Sequence, residues 1–549
     1  MPIKRFIRIL VILILSGLIR LSVRAQQVNS LYFMENVPVR HYLNPSFQPV
    51  NDFYLSLPVI GFSQLDIGNN SIALKDFIYK QNGQTITFLN PQGNVDHFYN
   101  VLKRSTIMHA DFQTNLLAFG FRNKDDYWTF SVSEKVNGML SLPKDLFKLS
   151  FYGTPDILSN SYNFTTLQTD ISVYTEAAVG LSRKIDEQWT VGGKLKFLYG
   201  SANFLNTNRK MNLKAGIDKW TVTGNGSVNL SSPIEVNIGA NFQSFAYRTP
   251  TKLTDWLKPS GIGAGVDFGA EYKLNEKIRL SGAILDLGFI NWTRNVHNYQ
   301  YGIDYSFDGV RQFDSSTGLI TLQDVYNRLV TGQLTDSLVQ LLKSSTTSEL
   351  TMKTYLSGTT AKLNLAAEYG LLNNILSFGL LSSSRFSKRT VTEEITASLN
   401  ARPYKWLNGT LSYSVFNGRM SSVGVGMGIK TGFVNWFLSA DYIPFQKITL
   451  ALSDVGLNSQ NKIVLPYNTT TINFSAGVNL VFDGLITKVK SRKMQTAKKL
   501  GLRNLNPKVT RKTSTILPDQ NKISRNRTRI GSDGLNKKNP TQDCHCDWK

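Results

Sequence analysis

The feature that most constrains this chain is a period-two alternation of apolar and polar residues, sustained over segments of about ten residues, the length of a tilted membrane-spanning strand. From Ile262 one face reads Ile262, Ala264, Val266, Phe268, Ala270 and Tyr272, and the other Gly263, Gly265, Asp267, Gly269, Glu271 and Lys273. From Ile472 the faces are Ile472, Phe474, Ala476, Val478, Leu480 and Phe482 against Asn473, Ser475, Gly477 and Asn479, with Val481 the exception. The same split recurs at Trp128/Phe130/Val132, Ile171/Val173/Ala177/Val179/Leu181, Trp189/Val191/Leu195/Phe197, Leu363/Leu365/Ala367/Tyr369 and Val423/Val425/Met427/Ile429. One face of each segment seeks hydrocarbon or a core and the other seeks water.

A soluble sandwich also alternates, so segment length and punctuation carry the distinction. Short turns at 123–126, 184–187, 275–276, 373–374, 403–405 and 431–432 join segments pairwise, and longer connections separate the pairs. Tight turns on one side and long loops on the other is the asymmetry of outer-membrane barrels, with both termini on the tight-turn side. The outer loops are then expected near 138–168, 231–260, 291–357 and 444–470, with shorter ones at 203–207, 387–390 and 417–419. The expected fold is all-β, a transmembrane antiparallel β barrel of about 14 strands, or about 16 if two segments are counted separately. Its first strand is expected near 53–62. A helical spacing over Leu322, Val325, Tyr326, Leu329, Val330, Leu334, Leu338, Leu341 and Leu342 predicts a helix inside the 291–357 loop, and Pro143 to Leu158 is a weaker helical segment broken by Gly153 and Pro155.

The ends of the chain differ from this body. Lys4, Arg5 and Arg8 precede an apolar run from Ile9 to Leu15, and Val23 and Ala25 satisfy the small-residue rule, so residues 1–25 read as a signal peptide cleaved between Ala25 and Gln26. A retained N-terminal anchor is the alternative. Residues 26–52 precede the first strand, the barrel occupies 53–482, and 483–549 form a basic tail with 17 Lys+Arg against 5 Asp+Glu, disordered by composition and expected in the periplasm. Of the net charge of +23, the leader holds +5 and the tail +12, which leaves +6 on residues 26–482. No basic stripe remains on the folded part, so nucleic acid is excluded as its partner. The tail instead suits anionic envelope polymers or a periplasmic partner, or stays solvated. Cys544, His545 and Cys546 supply too few ligands, too closely spaced, for more than a weak metal site. No cofactor is expected.

The five histidines lie in no metalloprotease pattern, and no nucleophile elbow or Walker loop is present. His109 shares a polar face with Asp111, Gln113 and Asn115, which reads as a lumen-facing ladder, not a catalytic group. Lys194, Lys196 and Arg279 should also face the lumen, because each would cost about 2–4 kcal/mol against lipid. They either line a path for anions or balance Asp267 and Glu271 within the wall.

His41-Tyr42-Leu43-Asn44-Pro45-Ser46-Phe47 resembles the Asn-Pro-Ala segment of the long-chain fatty-acid transporter (FadL) superfamily, which includes the PorV-type barrels of type IX secretion. Asp267-Phe268-Gly269-Ala270-Glu271-Tyr272 and Leu285-Asp286-Leu287-Gly288-Phe289-Ile290-Asn291-Trp292 are similar to a strand-turn-strand phrase repeated there. A group of Bacteroidota-type outer-membrane barrels of unassigned function is closer still, over residues 26 to 482. The resemblance implies fourteen strands, a plug formed by residues 26–52 with Asn44, Pro45 and Ser46 as its motif, and an outer-membrane location. Phe482, closing the last alternating run, looks like the signal by which the barrel-assembly machinery captures its clients. The expected function is passive transport of a hydrophobic or amphipathic ligand, bound in an apolar pocket near the outer mouth. The alternative is a non-enzymatic secretion or gliding accessory acting through its loops and tail.

Overall fold

A computed structural model of the chain describes residues 29–484, apart from 82–83, 89, 91, 155–159, 217–218, 239–244, 257, 308–345, 388–389, 417–418, 444–446, 452–461 and 469. The expected cleavage site at Ala25 and Gln26, the expected helix over 322–342, and the tail with Cys544, His545 and Cys546 lie outside the described residues.

The alternating segments form one closed antiparallel sheet of 14 strands. Strand β1 comes in two pieces, Phe53–Ser56 and Ser63–Asn69. It is followed by β2 (Ser105–Asn123), β3 (Asp126–Pro143), β4 (Gln168–Lys184), β5 (Trp189–Ala215), β6 (Gly261–Lys273) and β7 (Ile278–Trp292). The second half comprises β8 (Ala361–Leu371), β9 (Leu376–Ser387), β10 (Thr390–Tyr404), β11 (Leu407–Phe416), β12 (Arg419–Thr431), β13 (Val434–Ile443) and β14 (Thr471–Phe482). Each pairs with the next, and β14 closes on β1 with Phe53 opposite Phe482 and Ser63 opposite Ala476. Closure removes the unpaired edges that a membrane cannot accommodate.

All six expected tight turns join consecutive wall strands. Several need a left-handed backbone, supplied at Lys124 (φ 60), Leu372 (φ 48), Asn373 (φ 55), Asn374 (φ 64) and Gly432 (φ 61). The faces divide as the alternation predicts. Leu195, Phe197, Ile262, Phe268, Met427, Ile472 and Phe474 are exposed on the outside, as a lipid-facing belt requires, while Lys194, Lys196, Asp267, Asn473 and Ser475 are buried inside. Aromatic pairs stand near the tight-turn end: Trp189 with Tyr272 (4.6 Å between centroids), Tyr404 with Trp406 (5.4 Å) and Phe433 with Phe482 (6.3 Å). Such a girdle anchors a barrel at the membrane interface.

Three expectations change. The short outer loop at 203–207 does not exist, because β5 runs unbroken for 27 residues. Its distal half, from Asn203 to Ala215, pairs with Trp220–Ser231, which pairs with His297–Phe307 and that with Thr346–Thr351, while Asn160–Asn163 lies on its other edge. These strands extend the sheet beyond the long-loop end of the wall around a core of Tyr162, Leu213, Ala215, Val222 and Ile303. Trp220, Val222, Val228 and Leu230 alternate with Thr221, Thr223, Ser227 and Asn229 as in a wall strand, but the apolar face meets this core, with Val222 in it and Trp220 packed against it. Second, β1 continues to Asn69, and residues 70–104 form a long connection the sequence reading did not separate. There Phe88, Phe98 and Leu102 pack with Phe147 and Phe151 of the helix Lys144–Tyr152. That helix occupies the weaker predicted segment and stops at Gly153 (φ 61), whose N–H donates to the Leu149 carbonyl. Third, β1 is interrupted at 57–62.

Candidate functional site: the filled lumen and the interrupted strand

Residues 29–49 lie inside the barrel, and Val50 is exposed where the chain leaves it for β1. Leu31, Met34, Val37 and Val39 pack with Phe62 and Phe437 of the wall, and Tyr32, Phe33 and Phe47 pack with Leu381. Each such side chain contributes about 1.5–3 kcal/mol relative to exposure. A 3-10 helix, Pro38–Tyr42, turns the segment; Pro38 stands in its first turn, where a missing N–H costs nothing.

Asn44, Pro45 and Ser46 form a turn tied by its own side chains. Asn44 Oδ1 accepts from the Ser46 N–H (2.9 Å) and the Ser46 hydroxyl (2.7 Å), the second a bond that alanine at this position would lack. Asn44 Nδ2 donates to the Gly282 carbonyl at 3.3 Å, and the Ser182 hydroxyl donates to the Ser46 carbonyl at 2.9 Å. The turn approaches the wall so closely that only glycine fits opposite it. A Cβ on Gly192 would stand 2.2 Å from the Pro45 carbonyl oxygen, and one on Gly269 would stand 2.1 Å from Asn44 Oδ1.

Charges secure the rest. Glu35 of the segment pairs with Arg279 and lies 3.6 Å from Arg402; Glu368 of the wall bonds the same two guanidiniums at 2.8 and 2.5 Å. Arg402 also donates to the Phe33 carbonyl at 2.9 Å. Arg279 is therefore paired with Glu35 and Glu368, with Glu271 acting on it from farther away. Burial works against the Glu35 charge, but Arg402, Arg279 and Arg40 outweigh it and lower the carboxyl from 4.5 to about 2. A depressed folded value contributes stability that is full above pH 4.5 and is lost as the pH falls toward 2. The urea midpoint of the wild type should fall over that window, and Glu35→Gln should flatten that part of the profile while lowering the midpoint at neutral pH. His41 is also lowered, which for a histidine favours the neutral form: burial and then the nearby Lys194 ammonium hold its pKa well below the ordinary value, and its Nε2 lies 2.6 Å from the Tyr54 hydroxyl.

Above the segment the lumen holds an ion network. Lys196 Nζ lies 2.7 Å from Asp267, 2.6 Å from Asp286 and 3.5 Å from Glu176. Lys135 lies 2.7 Å from Glu176 and 3.0 Å from Asp286, and Lys362 lies 3.9 Å from Asp286. Three cations meet three carboxylates, so the network neutralises itself and offers no open path to anions. Lys194 instead covers the Tyr42 ring at 4.5 Å. Strict alternation from Leu280 and Ile284 would have turned Asp286 toward lipid. A bulge where β6 and β7 shift register, with Asp286 at φ 56, turns it inward and sets its N–H on Asp267 Oδ1 at 2.7 Å. A carboxylate falling on the apolar parity of a strand was the available signal. His109 faces Asp66 at 3.4 Å, and Asp111 pairs with Arg385. One cavity between the segment and the wall, beside Leu31, Tyr42 and Leu43, and a second one among the wall residues around Asp111, Lys135 and Arg385 hold about 30 Å³ each.

The interruption of β1 adjoins the segment. Residues 57–62 stand opposite only 477–478 of β14 and 115–117 of β2. The extra chain loops outward, with Val59 and Ile60 exposed on the lipid face. Val59 has φ 64 and the Ile60 N–H donates to the Pro58 carbonyl at 2.7 Å, a γ-turn that strains a β-branched residue. Both neighbours hold the loop, through Val59 N–H to the Asn115 carbonyl (2.6 Å) and Val478 N–H to the Ile60 carbonyl (2.8 Å). Beside it an apolar hollow of about 520 Å³ opens on the outer face, lined by Val59, Ile60, Met427, Trp436, Leu438 and Val478 among others. Phe62, at the end of the loop, turns inward onto the luminal segment. Phe482, the terminal-strand residue, sits at the barrel closure 6.0 Å from Phe53.

A closed, 14-strand antiparallel barrel with an apolar outer belt and a lumen occupied by its own N-terminal segment is a membrane barrel of the outer-membrane type. The chain belongs to the family of unknown function DUF5723, whose model matches residues 45–441. Among solved structures it is similar to a Pseudomonas aeruginosa FadL homologue (11% identity, TM-score 0.32, 84% of this chain and 97% of that one). It is also similar to the Ralstonia pickettii toluene transporter TbuX (9%, TM-score 0.34, 84% and 97%) and to the CymD monoaromatic hydrocarbon channel (8%, TM-score 0.35, 82% and 94%). No curated protein matches the sequence.

Proposed function

We propose that the protein passes a hydrophobic or amphipathic small molecule passively across the outer membrane, with its tight turns and basic tail in the periplasm. The observation that carries this reading is the strained interruption of β1 at 57–62, set between a filled lumen and an apolar hollow on the lipid face. Backbone strain persists only where surrounding structure enforces it, and it concentrates where a segment must move. A filled lumen blocks direct passage, so transit requires displacement of residues 29–49. Phe62 couples that displacement to the loop, because it packs on Leu31, Met34 and Val37. Proteoliposomes containing the protein should take up fatty acid faster than empty liposomes, and a Pro58→Ala/Val59→Gly variant with the strain relieved should change that rate. Uptake equal to that of empty liposomes contradicts the proposal.

The sheet that continues β5 above the wall favours a second reading, a non-transporting partner of other envelope proteins. Co-purification from native membranes that is lost on deletion of residues 483–549, with no uptake, would support it.

A further inference from the structure

Glu134 interrupts the apolar outer face of the wall. In β3, Ser133 and Lys135 are buried toward the lumen, where Lys135 meets Glu176 and Asp286, so Glu134 between them stands on the lipid-facing side. Its neighbours on that side of the strand are Val132 and Val136. Across the sheet, one rung farther from the tight turns pairs Phe112, Val136 and Val173, and one rung nearer pairs Leu117, Val132, Ala177 and Phe197. The carboxyl is therefore set into apolar surface on both sides. Ionisable side chains within a membrane are costly, and they persist where they bind something.

Within the protein the carboxyl has one donor among the described residues, the Thr175 hydroxyl, directly across on β4 and 2.6 Å from Oε2. Thr114, across on β2, turns its hydroxyl to the Val59 and Phe62 carbonyls at 3.2 and 3.3 Å, which leaves Oε1 facing outward. An apolar hollow of about 460 Å³ opens on the same face, lined by Leu117, Phe119, Phe130, Val132, Val179 and Phe197 among others. Val132 and Ala177, both in its lining, lie two residues along their strands from Glu134 and Thr175, about 6.6 Å away on the same face. An apolar lining of this volume with a polar anchor at one end has the composition of a small-molecule site.

The charge selects the occupant. A second copy of the barrel would bring an apolar belt and another carboxylate to this face, and a fatty carboxylate would meet like charge. An alkyl chain ending in an ammonium group instead supplies the positive charge and the N–H donors that lipid lacks. We propose that Glu134, Thr175 and the adjoining hollow form a lipid-facing site for a single-chain amine amphiphile, its ammonium on the carboxylate and its chain in the hollow. The inference rests on the membrane placement of the wall and stands whether or not the barrel transports.

The test uses the full-length, processed protein folded in nonionic detergent. It is titrated near neutral pH with n-dodecylamine, dodecanol and dodecanoate, and bound ligand is counted by native mass spectrometry. The same titrations are run on Glu134→Gln, which keeps the shape and removes the charge, and on Ala177→Leu, which fills part of the hollow. Heat-modifiable mobility is the folding control. The wild type should bind dodecylamine roughly tenfold or more tightly than dodecanol, and dodecanoate more weakly than either. Glu134→Gln should lose the preference for the amine, and Ala177→Leu should weaken the amine and the alcohol together. Dodecylamine that does not bind, binds no more tightly than dodecanol, or binds the wild type and Glu134→Gln alike overturns the proposal. Unchanged affinities in Ala177→Leu overturn the placement of the chain in the hollow.

Discussion

Replacing Gly192 with valine is expected to drive the Asn44-Pro45-Ser46 turn out of its seat. The new Cβ would lie 2.2 Å from the Pro45 carbonyl oxygen and 2.6 Å from the Ser46 nitrogen. Both are backbone atoms, so no rotamer change relieves the clash, and β5 is held on both sides by β4 and β6. Overpacking costs typically about 1–3 kcal/mol where surroundings can adjust, and here the part free to move is the luminal segment. The expected result is a barrel that still shows heat-modifiable mobility but conducts ions in planar bilayers and loses protection of residues 29–47 against proteolysis. Gly193→Ala is the matched control, since a Cβ there meets nothing nearer than 3.5 Å. If the two variants behave alike, the turn does not sit where the geometry puts it.

The second large effect is expected at Lys196. Its ammonium serves Asp267, Asp286 and Glu176 together, with 5% of the side chain exposed. Lys196→Met keeps most of the apolar stem and removes the charge, leaving Asp267 without its direct ion pair, with only the cross-strand Lys194 acting on it, and leaving Asp286 and Glu176 to share Lys135, with Lys362 farther from Asp286. Breaking a buried ion network from one side costs about 3–5 kcal/mol, because an uncompensated charge remains. The urea midpoint of the folded band should fall accordingly, and adding Asp267→Asn should restore part of the loss. That recovery separates a charge imbalance from a packing defect: a double variant no better than the single one would mean the lysine acts through its stem.

Strict alternation exposed the wall to reading from sequence because lipid outside and water inside impose opposite demands on successive residues. The faces at Ile262–Lys273 and Ile472–Phe482 and all six tight turns emerged as the pattern predicts. Where a strand leaves the membrane that demand ends. The segment at 220–231 still alternates, Trp220, Val222, Val228 and Leu230 against Thr221, Thr223, Ser227 and Asn229, but part of its apolar face packs on the core of the extension, a surrounding that the pattern does not distinguish from lipid. Bulges are the second blind spot. At Asp286 an extra residue shifts the parity, and nothing in a period-two pattern marks the shift except a residue that lands on the wrong face; at 57–62 the inserted residues leave the parity unchanged, with Tyr54, Ser56 and Asp66 all inward, so the pattern does not mark the interruption at all. The luminal contacts were the least legible. Glu35 meets Arg279 and Arg402, and Asn29 meets Ser414, across hundreds of residues of chain, so their association follows from closure of the barrel and not from any local spacing.

The central claim is that a closed outer-membrane barrel is filled by its own N-terminal segment, held as a folded element. Hydrogen exchange on the full-length protein tests it without a mutation. The amides of Tyr32, Met34, Val37, Arg40, Leu43 and Phe47 all donate to backbone carbonyls within the segment, and all but those of Arg40 and Leu43 belong to buried residues. The account predicts that peptides spanning 29–47 exchange as slowly as wall peptides from 189–200. Exchange at the rate of an unstructured chain, in a barrel whose strands remain protected, would contradict it.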